Sequence, residues 1–206
     1  MNPRILEFWA LAVMARVLVT DGHWRKTLAV VRSLGRKGVH VTVGERTVFN
    51  TSFFSKYCAR RIVYPSPRRY PYQFIEFLLR EIKKNRTDCL FPMEEDTLLL
   101  LARHQSEISR YTYLLAPDLD KIQFVRDKRN LIQFAQTRGI PTPKTFQIRN
   151  MEELHSASIA IPAVIKPRIS SGSFGIAYVE KREDLIHFYQ RVHARYPFPL
   201  IQEWVP

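Results

Sequence analysis

Residues 164–176 read VIKPRISSGSFGI. An apolar run ends on Lys166, a proline follows, and Ser170, Ser171, Gly172, Ser173, Phe174 and Gly175 come next. The chain has seven glycines in 206 residues and places two of them here. A lysine at a strand end supplies a fixed positive charge. Glycines permit backbone conformations in which amide N–H groups converge on an anion, and serine hydroxyls add donors. A charge-assisted hydrogen bond of this kind is worth about 1.5–3 kcal/mol. The chemistry suits a phosphate. The order is not that of a P-loop, in which the lysine follows the glycines and a helix opens behind it. Two readings of the segment stay open, a phosphate clamp and a glycine-bearing hairpin turn between strands at 161–166 and 176–180.

Other residues able to do chemistry sit earlier in the chain. Pro92-Met93-Glu94-Glu95-Asp96 follows an expected strand, and Asp21 and His23 follow the first strand. Open α/β sheets bind ligands at such carboxyl edges. Acids at a helix start are also stabilised by the helix dipole, so a purely structural role is the alternative. His104, His155, His187 and His193 have no metal-ligand spacing, and Cys58 and Cys89 stand far apart without a CxxC pattern. That cysteine usage suits a reducing, cytoplasmic setting.

The elements that must position these residues follow from periodicity. RVLVT (16–20), VHVTVG (39–44), a short strand within RIVYPSP (61–67), DCLFPM (88–93) and YTYLLAP (111–117) read as strands. Helical patterns separate them at 24–37, 70–85 and 95–108. Strands spaced by helices predict βαβ units and a mostly parallel, Rossmann-like sheet. The first turn, Thr-Asp-Gly-His-Trp, lacks the GxGxxG glycines, which argues against a dinucleotide site. A helix at 118–138 follows, broken by RGIPTPKTF, and the boundary between two domains is expected near 117–127. Beyond it come strands at 144–148, 161–166, 176–180 and 199–204, with helices at 151–157 and 182–195, an α+β unit. The fold class is therefore α/β, a Rossmann-like parallel sheet followed by a smaller α+β domain.

Composition narrows the partners. The formal charge of +13 favours an anionic partner, whether nucleic acid, a membrane surface or a phosphorylated small molecule. The basic residues are scattered in short groups, and no RNP or zinc-finger pattern is present, so neither nucleic acid nor a membrane is the expected partner. Residues 8–15, FWALAVMA, are too short a run to span a bilayer and are interrupted at Arg16. Residues 1–15 read as an extension or a misplaced start, with Met14 an alternative first residue.

Four stretches occur in order: Asp127-Lys128, the Pro-Thr-Pro linker at 141–143, the Lys166 loop, and Gln202-Glu203-Trp204-Val205-Pro206. This set resembles the ATP-grasp superfamily, in its carbamoyl-phosphate-synthase-like and carboxylate–amine ligase branches, over residues 16–206. The resemblance implies that Lys128 and Lys166 contact ATP phosphates and that Ser170, Ser171, Gly172, Ser173, Phe174 and Gly175 form the lid over them. It further implies that the Glu203 carbonyl and the Val205 N–H hold adenine, with Gln202 and Trp204 alongside. Residues 16–117 would be the pre-ATP-grasp domain, whose strand edge with Asp21, Glu94 and Glu95 faces the acceptor substrate in related ligases.

Two departures from the family stand out. Ser171 and Phe174 occupy positions where many relatives have glycine or arginine. The acidic residues that hold Mg2+ and ribose in the family would lie beyond residue 206. The expectation is an N-terminal portion, residues 118–206 being a truncated ATP-grasp domain inactive by itself. Completed by a C-terminal part, a separate subunit or a homo-oligomer, it would use Mg-ATP to activate a carboxylate as acyl-phosphate for attack by an amine. A non-catalytic ATP-binding subunit is the alternative, and a basic nucleic-acid-binding protein a more distant one.

Overall fold

Val17, Leu18 and Val19 alternate their side chains across a strand, and that alternation organises the first half of the molecule. The computed structural model describes residues 15–170 and 172–205. Apart from Ala15, the expected N-terminal extension lies outside the described residues, as do Ser171 and Pro206. The chain divides into two compact units between Leu119 and Asp120.

In the first unit, strands β1 (Arg16–Val19), β2 (His40–Glu45), β3 (Arg60–Val63), β4 (Cys89–Phe91) and β5 (Tyr113–Leu114) form a parallel sheet in the order β3-β2-β1-β4-β5. Helices α1 (Arg25–Arg36) and α2 (Pro71–Asn85) link the early strands. Helices α3 (Glu95–Arg103) and α4 (Gln105–Ile108) lead to the last one. Both sheet faces are buried. Val19, Val41 and Val43 pack with Val31 of α1 and Phe53, whereas Leu18, Ile62 and Leu90 pack with Phe74, Leu78 and Ile82 of α2. Pro71 opens α2 where a missing N–H costs nothing, and Arg86 in left-handed conformation closes it. The single helix expected at 95–108 is two, because the chain leaves helical geometry at His104.

Helix α5 (Leu119–Arg126) opens the second unit, followed by α6 (Lys128–Thr137). The one helix expected at 118–138 is thus also divided. Asp127 is extended and its side chain accepts the Arg129 N–H, so it caps a new helix in place of continuing the old one. Strands β6 (Thr145–Gln147), β7 (Ala163–Lys166), β8 (Ala177–Val179) and β9 (Leu200–Glu203) form an antiparallel sheet in the order β6-β9-β7-β8. Helix α7 (Met151–Ser156) follows β6, and α8 (Leu185–His193) follows β8 behind a short 3-10 turn at Arg182–Asp184. Ala163 and Ile165 lie opposite Val179, Ala177 and Ile201, and these join Leu154 of α7 and Leu185, Tyr189 and Val192 of α8 in one core. Among the described residues no helix is long and apolar enough to cross a membrane.

Candidate functional site

Period-two alternation decides what the second sheet presents on its other face. Directly opposed residues share a side, so Val164 lies with its partners Tyr178 and Gln202, and Lys166, two residues on, follows the same side. Gln202 is buried and donates to Thr145 Oγ1 at 2.8 Å across the β6–β9 pair. Tyr178 and Trp204 are exposed and meet edge to face, ring centroids 5.2 Å apart. Beside them is a hollow of about 590 Å3, lined also by Pro162, Ala163, Val179 and Glu180. The main chain of the terminal segment is fixed by Glu203 N–H to the Lys144 carbonyl at 2.9 Å and Trp204 N–H to the Pro162 carbonyl at 3.2 Å. Val205 is exposed.

β7 and β8 are antiparallel neighbours, so the Ser/Gly segment is geometrically a hairpin connection, and a long one. Gly172 and Gly175 both have positive φ, 61° and 77°, and Ser173 between them does too at 64°. Gly175 is doubly constrained, because a Cβ there would lie 2.5 Å from the Tyr196 ring and 2.7 Å from Pro167. Phe174 is exposed at the loop's tip. Ser171 lies outside the described residues.

The loop's root is tied to the start of α6. Lys128 Nζ donates to the Ser170 carbonyl at 2.9 Å and to Ser170 Oγ at 3.2 Å. The Lys128 N–H, one of the donors a helix start leaves unpaired, donates to the Arg168 carbonyl at 3.0 Å. Arg168 in turn grips Asp127 through both Nε, at 3.2 Å, and a terminal guanidinium nitrogen. Burial alone would raise the Asp127 pKa, but the Arg168 hydrogen bond, the Arg129 N–H and the two arginine charges outweigh it. The carboxyl therefore sits below its ordinary value. Lys166 is pushed below the usual lysine value by burial first and then by the charge of Lys128. Two ammonium groups that repel one another beside a donor-rich loop form a site that an anion stabilises. The sequence pointed to both lysines. It did not point to Arg168, whose partner is 41 residues away.

In the first unit the crevice lies where strand order reverses, between β1 and β4. Asp21, just past β1 and at φ 59°, is buried. Its carboxylate accepts from the hydroxyls of Thr20 (2.6 Å), Thr97 (2.9 Å) and Tyr64 (3.2 Å) and from the N–H groups of Met93 (3.3 Å) and Glu94 (3.0 Å). Burial raises its pKa against the pull of those bonds, and burial followed by the Asp21 charge holds the Tyr64 phenol well above its ordinary value. A cleft of about 230 Å3 beside it is lined by Asp21, His23, Glu45, Arg68, Glu94 and Asp96, among others. Asp96 rather than Glu95 faces it. Glu94 pairs with Lys26 at 2.7 Å. Glu45 and Tyr64 come from the ends of β2 and β3, and no local motif marks them.

No protein-family model matches the sequence, and no curated protein does. Solved structures do. L-amino acid ligase from Bacillus licheniformis is 13% identical with a TM-score of 0.66, covering 93% of this chain and 44% of its own. Biotin carboxylase from Campylobacter jejuni, in a β-γ-ATP complex, is 15% identical with a TM-score of 0.70, covering 95% and 46%. The biotin carboxylase domain of Hydrogenobacter thermophilus 2-oxoglutarate carboxylase, with MgADP and bicarbonate, is 17% identical with a TM-score of 0.69, covering 92% and 44%. These structures are of ATP-grasp enzymes, and this chain shares the fold of part of each. The chain spans less than half the length of these ATP-grasp structures.

Two of these structures hold a nucleotide, one of them with magnesium. Lys128, Lys166 and the loop donors, beside the aromatic and apolar side chains Val164, Tyr178 and Trp204, fit a nucleotide. The fit to a metal fails, because among the described residues no group of three or more His, Cys, Asp or Glu could hold one.

Proposed function

We propose that residues 118–206 are the nucleotide-gripping part of an ATP-grasp ligase and that residues 16–117 are its pre-ATP-grasp domain. What supports this reading is that Lys128 is tied to Ser170 at the root of the Ser/Gly loop, while Lys166, whose pKa the Lys128 charge helps to lower, lies on the sheet face that also bears Val164, Gln202 and Tyr178. Lys166 and Lys128 hold the phosphates, and the exchange of Ser170 for a phosphate oxygen at Lys128 Nζ couples the loop to the ligand. Ser170, Ser171, Gly172, Ser173, Phe174 and Gly175 close over it and exclude water. The Glu203 carbonyl and Val205 N–H hold the adenine, with Gln202 and Trp204 alongside. Asp127 and Arg168 are positioning residues that set Lys128 against the loop root.

The reaction served is activation of a carboxylate as an acyl-phosphate for attack by an amine. The two lysines offset the charge that spreads over the transferring phosphoryl group. The first-unit edge with Asp21 and Glu94 receives the acceptor, Asp21 acting as the frame of the crevice, and Glu95 belongs to the same edge. Magnesium accompanies ATP in such reactions. Its ligands would come from a further lobe or a partner subunit.

The alternative reading is an ATP-binding subunit that works with a partner. Isothermal titration of ATP into the 206-residue chain tests the common core of both. Saturable binding, weakened about 10- to 100-fold by Lys166→Ala, is expected. Absence of ATP binding, or equal affinity in the variant, overturns it. Adding the partner or completing lobe and assaying phosphate release separates enzyme from subunit.

A further inference from the structure

The first-unit cleft holds a side-chain pair that the nucleotide reading leaves unused. Glu45, at the end of β2, has a side chain only 3% exposed. Its Oε2 accepts from both the N–H of His23, at 3.0 Å, and the ring Nδ1, at 2.5 Å, while its Oε1 accepts the Arg46 N–H at 2.7 Å. The carboxylate is thus fixed from three directions, and it fixes the imidazole. A carboxylate facing Nδ1 makes that nitrogen the donor, so in the neutral ring the lone pair is on Nε2. The His23 side chain is 40% exposed and lines the cleft, and Nε2 is the ring nitrogen that Glu45 does not engage.

The charge of the cleft tells which ligand. Across the chain, Lys and Arg outnumber Asp and Glu by 32 to 19, yet the cleft lining has four acids (Asp21, Glu45, Glu94, Asp96) to two arginines (Arg46, Arg68). Two of the acids hold exposed cations, Lys26 at 2.7 Å and Arg68 at 2.9 Å, and exposed pairs of that kind are readily exchanged. The Trp24 ring, 4.8 Å from the His23 ring, already has the Lys26 ammonium 5.5 Å from its centre. A volume of about 230 Å3 admits only a small molecule.

We propose that this cleft binds a small primary amine as its ammonium and that His23, oriented by Glu45, takes the proton. In that step one N–H bond of the ammonium breaks, its electron pair stays on nitrogen, and the proton bonds to Nε2. The products are a neutral amine and an imidazolium, and the Glu45 carboxylate stabilises the latter. A neutral amine is the form able to attack an acyl-phosphate. Use of the amine in this way rests on the ligase reading; its binding does not.

The test uses the 206-residue chain with ring-nitrogen NMR of His23 and ethylamine hydrochloride as probe, potassium chloride serving as the ionic control. The expected results are an Nδ1–H tautomer in the free protein and a saturable Nε2 shift with ethylamine but not with potassium. Amine affinity should fall at least about tenfold in His23→Ala, while ATP affinity stays unchanged. Glu45→Gln should shift the tautomer population toward Nε2–H. An Nε2–H tautomer in the wild type, no saturable response, or equal amine affinity in His23→Ala overturns the proposal. ATP titrations on the same samples report on the nucleotide reading separately, since loss of ATP binding with amine binding intact rejects that reading alone.

Discussion

The two sheets of this molecule offer a ligand different things. The parallel sheet is covered on both faces, by the cluster around Val31 and Phe53 on one side and the cluster around Phe74 and Leu78 on the other. Among the described residues, Asp21, His23 and Glu45 lie at the edge where its strands end and line a cleft there. The antiparallel sheet packs one face on α7 and α8 and keeps Val164, Lys166, Tyr178 and Gln202 on the other. A doubly covered sheet confines a ligand to loop tips, where size and charge are selected. A half-covered sheet can lay a long, flat ligand along its strands.

That contrast is sharpest across the β7–β8 pair. Ile165→Ala, on the packed face, should cost about 2–5 kcal/mol in chemical denaturation, whereas Tyr178→Ala on the open face should stay within about 0.5 kcal/mol. Comparable losses at both positions would end the one-faced description. In the first unit, by contrast, Val41→Ala and Leu90→Ala, on opposite faces, should both destabilise by more than about 1 kcal/mol.

Asp127→Asn comes next, at about 1–2 kcal/mol, discounted because Arg168 is about one-third exposed (35%). The sign with pH is fixed by the lowered folded pKa. The contribution of Asp127 is present above the unfolded value and is lost as pH falls through the folded one, so acid titration of stability should flatten in the variant. Gly175→Ala should cost about 1–2 kcal/mol, from φ 77° and the approach of Tyr196. Gly139→Ala has a similar φ and nothing within 4 Å, and it should cost less.

The smallest expected effect is a proton count. The Lys166 pKa is lowered in the free protein, and a bound phosphate would raise it again. ATP binding should therefore take up protons at alkaline pH and weaken as pH climbs past the free value. Calorimetry in buffers of different ionisation enthalpy measures this, and zero uptake would remove Lys166 from the phosphate contacts.

Sequence patterns carried the strands and the lysines but not their connections. VHVTVG announces itself by alternation and AVIK by its apolar run, and Lys128 and Lys166 stand in short recognisable contexts. The breaks at His104 and Asp127 were hidden because apolar periodicity runs through both. Asp127 did carry a signal, since an aspartate before Lys-Arg-Asn can cap a helix. Arg168 meets Asp127 where the segment after β7 lies against the start of α6, and His23 meets Glu45 through the pairing of β1 with β2; both are long-range polar pairs that nothing local reports. The use of Asp21 to join β1 to the β4 end is likewise a property of strand order.

The parity of β7 has one more consequence. Lys166 and Ile165 are neighbours assigned to opposite faces, so a slip of one residue in pairing would bury an ammonium and expose the core together. Misassembly and displacement of Lys166 are thereby the same event. A single inserted residue within 163–166 should abolish folding, whereas one inserted in the exposed stretch at 172–174 should change only the reach of the loop.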